Sequence, residues 1–144
     1  MLDVHLDDFF KDCALILLTG IRHFPRPITL FVEDIAGPDT VDDFGLHSQR
    51  HLAALGAIRW LKEEGFIRYG VVDRQESVDE FVITASSLTR MLKPIEDAET
   101  LAKTTTDSEP TPFYQILEFA QLDQNSVWLR ALFQQHLLDQ SKST

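Results

Sequence analysis

Apolar residues recur at three- and four-residue spacing from Leu6 through Phe9, Phe10, Cys13, Leu17 and Ile21 to Phe24, which predicts a helix from about Asp7 to Phe24. Leu15, Ile16 and Leu18 widen that stripe until little of the helix middle is polar, the pattern of a helix central to a core or shared with a second chain. Pro25 and Pro27 stop it, since proline lacks the N–H and disfavours a helical residue before it. Ile28 to Val32 then predicts a short strand, with a brief helix at Glu33–Ala36 as the alternative continuation. Gly37 to Gly45 reads as loop. From about His47 to Glu64, Ala54, Leu55, Ile58 and Leu61 mark the buried stripe of a second long helix, and Gly65 sits where a C-terminal cap belongs.

Beyond that cap, Phe66–Val72 and Val78–Thr84 predict two strands joined by a turn at Asp73–Ser77, followed by a short helix over about Ser86–Leu92. The Thr-, Pro- and acid-rich stretch 99–112 predicts a linker. Phe113, Ile116, Leu117 and Ala120 predict a further helix, and Asn125 or Ser126 caps a last one that carries Trp128, Leu129, Leu132, Phe133 and Leu137. The expected organisation is a first domain over 1–98, the linker 99–112, and a helical extension over 113–144 packed on the core or on a dimer partner.

The run Trp60, Leu61, Glu63, Glu64, Gly65, Phe66, Ile67, followed after a hairpin by Phe81, Val82, Ile83, Thr84 and Leu88, resembles the second half of a winged-helix domain. There a recognition helix reverses through glycine into the first wing strand, and the returning strand opens the last helix. With the first helix and strand included, the resemblance covers roughly 6–93, and the signature itself about half of that. It implies a helix-rich α+β fold with a winged-helix-like core, a β-hairpin wing and additional C-terminal helices. The chain departs from the winged-helix pattern before the recognition helix, where an acidic loop replaces a compact second helix. The stretch from Phe24 to His51 also resembles short bacterial proteins without an assigned activity.

Composition changes this picture in one respect. The chain of 144 residues carries 13 Lys and Arg against 23 Asp and Glu, a formal charge of -10, which argues against coating nucleic acid. Half of that excess lies in 33–45, where five acids stand with no base, while 46–93 balances seven Lys and Arg against six Asp and Glu. Duplex DNA read by the 47–64 helix and the 66–84 wing is therefore the alternative function, with Gln49, Arg50, Arg59 and Arg74 as its contacts. The preferred expectation is a non-enzymatic, dimeric protein-interaction or regulatory module. Trp60 projects away from the buried stripe beside Ala53 and Gly56, and Trp128 and Leu132 lie on a last helix apolar on several sides. These five residues are the candidate partner interface, to a second copy or to another protein, unless the chain's own terminal helices cover them.

Candidate chemistry adds little. His47 and His51 stand one helical turn apart with Asp42 and Asp43 upstream, but no third ligand has a diagnostic spacing, so no metal and no cofactor are expected. Cys13 lies in the most apolar stretch and reads as a buried small hydrophobe. Ser48 lacks a nucleophile-elbow context, and the pairs Asp7/Asp8, Asp42/Asp43 and Glu63/Glu64 do not imply two carboxylates converging on one pocket. The acidic N-terminus is unlike a signal or transit peptide, and the apolar run Cys13–Leu18 is far short of the roughly 20 residues that span a bilayer. A cytoplasmic setting without membrane contact follows as an expectation. A small-ligand sensor with a pocket under the first helix is a third class.

Overall fold

The computed structural model describes residues 4–96 and 110–138. Its elements in chain order are α1 (Val4–His23), β1 (Ile28–Phe31), α2 (Val32–Ala36), α3 (Gln49–Glu63), β2 (Ile67–Arg68), β3 (Val72–Asp73), β4 (Ser77–Ile83) and α4 (Ala85–Leu92). There follow β5 (Pro94–Ile95), β6 (Thr111–Pro112), α5 (Phe113–Leu122) and α6 (Ser126–Leu132), which closes in a π-helical turn over Phe133–Leu137. The class is α+β and rich in helix. No helix among the described residues is long and apolar enough to cross a membrane.

Helix α1 is the centre of the molecule. Phe10, Cys13, Ala14, Ile16, Leu17 and Leu18 are all buried, and the helix packs on α3, on strand β4, and on both α5 and α6. Its apolar residues face more than one neighbour, which is why the helix is greasy on most sides. Gly20 allows the closest approach: a Cβ there would run into the Ile83 side chain of β4 and would touch the Phe81 ring. Ion pairs bind the ends of α1 to the C-terminal helices, Asp7 to Arg130 at 3.3 Å and Arg22 to Glu118 at 3.1 Å.

The main sheet is antiparallel, with strand order β1-β4-β2 and β3 pairing the start of β4. The continuous strand expected over Phe66–Val72 is broken, because β4 bulges: Ile28 pairs Phe81 while Leu30 pairs Val78. The extra residue falls at Asp79–Glu80, where Glu80 takes a left-handed φ of 53°. The Asp79 carbonyl and carboxylate then receive the Gly70 and Val71 amides, at 2.9 and 2.6 Å, in place of a regular ladder. At the hairpin tip Arg74 and Gln75 both have positive φ, 53° and 61°, and the Glu76 amide closes onto the Asp73 carbonyl at 2.8 Å, the primed turn that suits twisted strands.

Helix ends follow their sequence signals. Ser48 caps α3 by accepting the His51 amide at 3.1 Å. At the other end Gly65, with φ +82°, and Phe66 donate back to the Lys62 and Leu61 carbonyls at 3.1 and 2.9 Å, so the chain reverses directly into β2. Thr84 caps α4, and Asn125 caps α6.

The C-terminal helices share the core of the first 96 residues. Phe113, Ile116, Leu117, Trp128, Leu129, Leu132, Phe133 and Leu137 belong to the same buried cluster as α1 and α3. Of the expected linker, 99–109 lies outside the described residues. Its last residues form β6, which pairs with β5 (Pro94 with Pro112, Ile95 with Thr111) and docks α5 directly after α4. Arg90 of α4 reaches the Leu137 carbonyl at 2.6 Å and so terminates the last turn.

Candidate functional site

The surface that matters is built on α3, which a stripe of Ala54, Leu55, Ala57, Ile58 and Leu61 fixes against the core. Its outward side carries Gln49, Leu52, Ala53, Gly56 and Arg59, all exposed. Four of these five are uncharged. Arg50, a candidate phosphate contact, is turned inward instead: its guanidinium makes a two-pronged ion pair with Asp12 of α1, one arm at 2.8 Å. Burial pushes the Asp12 carboxyl above its ordinary 3.8, and the Arg50 guanidinium offsets that only in part. Gln49 and Arg59 are free to solvent, and Arg74 is displayed at the hairpin tip beside Asp73.

The five residues expected to form a partner interface divide. Ala53 and Gly56 are exposed on α3. Trp60 is half-buried, its ring edge-on to Phe9 of α1 at 5.2 Å and stacked near Phe66 at 6.2 Å, so the chain's own first helix covers it. Trp128 and Leu132 are 3% and 1% exposed. Both are core residues and correct the expectation that they meet a partner, because α6 is closed between α1 and α5 rather than presented at the surface.

At the N-terminal end of α3, the loop 37–48 folds back over the helix. Asp42 closes its middle by accepting the Phe44 and Leu46 amides, each at 2.9 Å. Asp39 accepts from the Ser48 amide at 3.2 Å and from His47 Nδ1 at 2.9 Å. Hydrogen bonds from Ser48 and then His47 hold the Asp39 carboxyl down, at about 2 against an ordinary 3.8. The His47 and His51 rings stack at 3.9 Å and 7°. His51 is buried in the first turn of α3, and its Nε2 donates to the Gln75 carbonyl of the hairpin tip at 2.7 Å. A carbonyl can only accept, so Nε2 carries a proton, and in the neutral ring Nδ1 is then a lone pair. That Nδ1 has no hydrogen-bond partner among the described residues. It faces Asp39 Oδ2 at 3.6 Å.

Asp39, His47 and His51 thus converge, with one donor atom from each within 4.8 Å of the others. The helical spacing picks out the two histidines, but the third group is Asp39 and not the expected Asp42 or Asp43. Asp39 is distant in sequence from His51, and only the returning loop brings them together. The same loop exposes Val41, Phe44 and Leu46, Phe44 by 88%. Five acids surround these apolar residues in sequence.

A groove of about 450 Å³ runs between the C-terminal half of α3 and the hairpin, lined by Arg59, Lys62, Glu63, Tyr69, Gly70 and Val72. Lys62 lies over the Tyr69 ring at 4.3 Å, which engages its charge. Cys13 is fully buried, and burial pushes its thiol well above the usual range, so it stays protonated at neutral pH. Comparison with family models, with curated proteins and with solved structures returned no match.

Proposed function

We propose that this chain is a non-enzymatic, winged-helix-type module that works in the cytoplasm by binding protein. The order α1-β1-α2-α3-β2, the hairpin, and a sheet of order β1-β4-β2 support the winged-helix assignment. The observation that carries the protein-binding function is the surface at the start of α3. Gln49, Leu52, Ala53 and Gly56 present a smooth uncharged face, flanked by exposed Val41, Phe44 and Leu46 within an acidic loop. Large exposed apolar side chains rimmed by charge are the usual anatomy of an interface core and its rim. The partner that fits is a protein with an apolar pocket bordered by Lys and Arg. Three of the side chains weighed for catalysis have structural work: Cys13 is sealed in the core, Ser48 caps α3, and Asp42 closes a turn. A homodimer would use Phe119, Leu122 and Val127, exposed on α5 and at the start of α6, in place of Trp128 and Leu132.

Capture from native extract with wild type and with Phe44→Glu/Leu46→Glu tests the assignment. A basic partner retained by wild type, released by added salt and lost at least tenfold by the variant is the expected result. Equal retention by both proteins would overturn it. The second function, duplex DNA binding, is favoured by Arg59 on the groove beside the hairpin and by Arg74 at the hairpin tip.

A further inference from the structure

The histidine pair at the start of α3 holds an electrostatic conflict that the surrounding chain does not resolve. His51 is fully buried, and the Gln75 carbonyl fixes its proton on Nε2. Its Nδ1 has no hydrogen-bond partner among the described residues and lies 3.6 Å from a carboxylate oxygen, itself an acceptor. A buried acceptor without a donor loses its hydration with nothing in return. Two buried acceptors this close are relieved by a cation that both can reach. A proton on Nδ1 would make an ion pair with Asp39 but no hydrogen bond, since 3.6 Å exceeds an N–H···O bond.

A divalent ion serves better. Bonds of about 2.0–2.1 Å in a tetrahedron place ligand atoms about 3.3 Å apart. The separations from Asp39 Oδ2 to His47 Nδ1 and His51 Nδ1, 2.9 and 3.6 Å, bracket that spacing. The outer contacts are also those of a ligand set. His51 Nε2–H on a backbone carbonyl orients the ring and raises the basicity of Nδ1, and the Ser48 amide orients Asp39. We therefore propose that Asp39, His47 and His51 bind a divalent transition cation of the zinc class, through one carboxylate oxygen and two imidazole Nδ1 atoms.

In the ion-free state His47 donates its Nδ1 proton to Asp39 and stacks on His51. The stacked rings cannot both aim an in-plane lone pair at one point, so when the cation enters His47 tilts out of the stack and changes tautomer, losing the Nδ1 proton to water and taking one up on Nε2. His47 can do this because it precedes the helix cap, whereas His51 is pinned in the first turn and by the hairpin. Two nitrogens and one oxygen favour zinc or cobalt over magnesium or calcium, which take all-oxygen sets. The fourth position is left to water or to a partner's side chain. Bound, the ion joins the loop through Asp39 to α3 and, through His51, to the hairpin tip.

The test is titration of the full chain with Zn²⁺ alone and with Co²⁺ alone, followed by calorimetry and visible absorption. One ion per chain is expected, and cobalt should give the absorption of a low-coordinate nitrogen–oxygen site. Asp39→Asn and His47→Gln, each with a circular dichroism spectrum like wild type, should weaken binding by at least about 10–100-fold, the loss seen when only an outer partner of a ligand is removed. Two-bond ¹H–¹⁵N spectra of wild type need no variant: His51 Nδ1 should shift on zinc addition while Nε2 keeps its proton. The proposal is overturned if wild type takes up no stoichiometric ion, if the His51 signals do not move, or if both variants bind as well as wild type. The last result would assign uptake to His5, His23 or His136.

Discussion

Replacing Arg50 by Met should lower stability by about 2–3 kcal/mol, read as a shift of the urea midpoint with an unchanged slope. Asp12 is 3% exposed at its side chain, and Arg50 supplies the two-pronged partner that makes its burial tolerable. Breaking a buried pair from one side costs about 3–5 kcal/mol. The lower figure applies because Arg50 is itself 37% exposed, so water reaches the vacated place. The double variant Asp12→Leu/Arg50→Met should recover most of the loss, since apolar side chains need no partner at this place. Asp12 also sets a pH dependence. Its pKa in the folded chain lies above the ordinary 3.8, so the native state holds that proton more tightly than the unfolded chain. Its contribution is full below the unfolded value and is lost as pH rises through the folded one. Wild-type stability relative to Asp12→Asn should therefore fall as pH is raised above about 4. Arg50→Met should steepen that fall, because Arg50 opposes the desolvation. An Arg50 held free for DNA would give neither the loss nor the rescue.

Truncating Phe133 to Ala should cost about 3–5 kcal/mol and unfold the whole chain in one transition at lower denaturant. Phe133 is 2% exposed and packs its ring 5.5 Å from Phe10 of α1. The C-terminal helices would then be part of the same cooperative unit as α1 and α3. Two separate unfolding transitions, with only the second moved by Phe133→Ala, would mean that 113–138 is an appendage.

What could be seen in the sequence followed from local rules. The caps at Asn125 and Gly65 are short-range chemistry, and the long apolar periodicities of α1 and α3 are local patterns too, whereas Ser48 and Thr84 emerge as caps only in the fold. Helix α1 begins a turn earlier than expected, at Val4, and α3 begins at Gln49 once Ser48 is spent as its cap. The breaks were harder to foresee. The bulge at Asp79–Glu80 depends on pairing with β1, and the β5–β6 pair joins residues on either side of the expected linker. Helix α6 showed apolar residues on several sides, which fits a dimer as well as a monomer, and only the packing of α1, α5 and α6 together decides for burial.

The site was legible by half. His47 and His51 share a side of the chain by spacing alone, but Asp39 reaches them through a loop closed by Asp42, and Gln75 reaches His51 across the hairpin. Neither contact has a sequence signature. Arg50 was misjudged for a related reason: a lone arginine on an exposed-looking helix turn gives no sign that a buried carboxylate one helix away has claimed it.

If the α3 face and its hairpin serve protein recognition, as proposed, the chain should not hold duplex DNA. Fluorescence anisotropy of a labelled generic duplex, titrated with the full chain at about 50 mM salt, tests it most directly, because phosphate-driven binding is strongest at low salt. With Arg50 bound to Asp12, Lys62 on Tyr69 and acids around the loop, the dissociation constant should be weaker than about 10⁻⁴ M, outside the usual non-specific range. Micromolar binding that falls steeply with salt and disappears in Arg59→Ala/Arg74→Ala would contradict the account and make the helix and hairpin a DNA-reading surface.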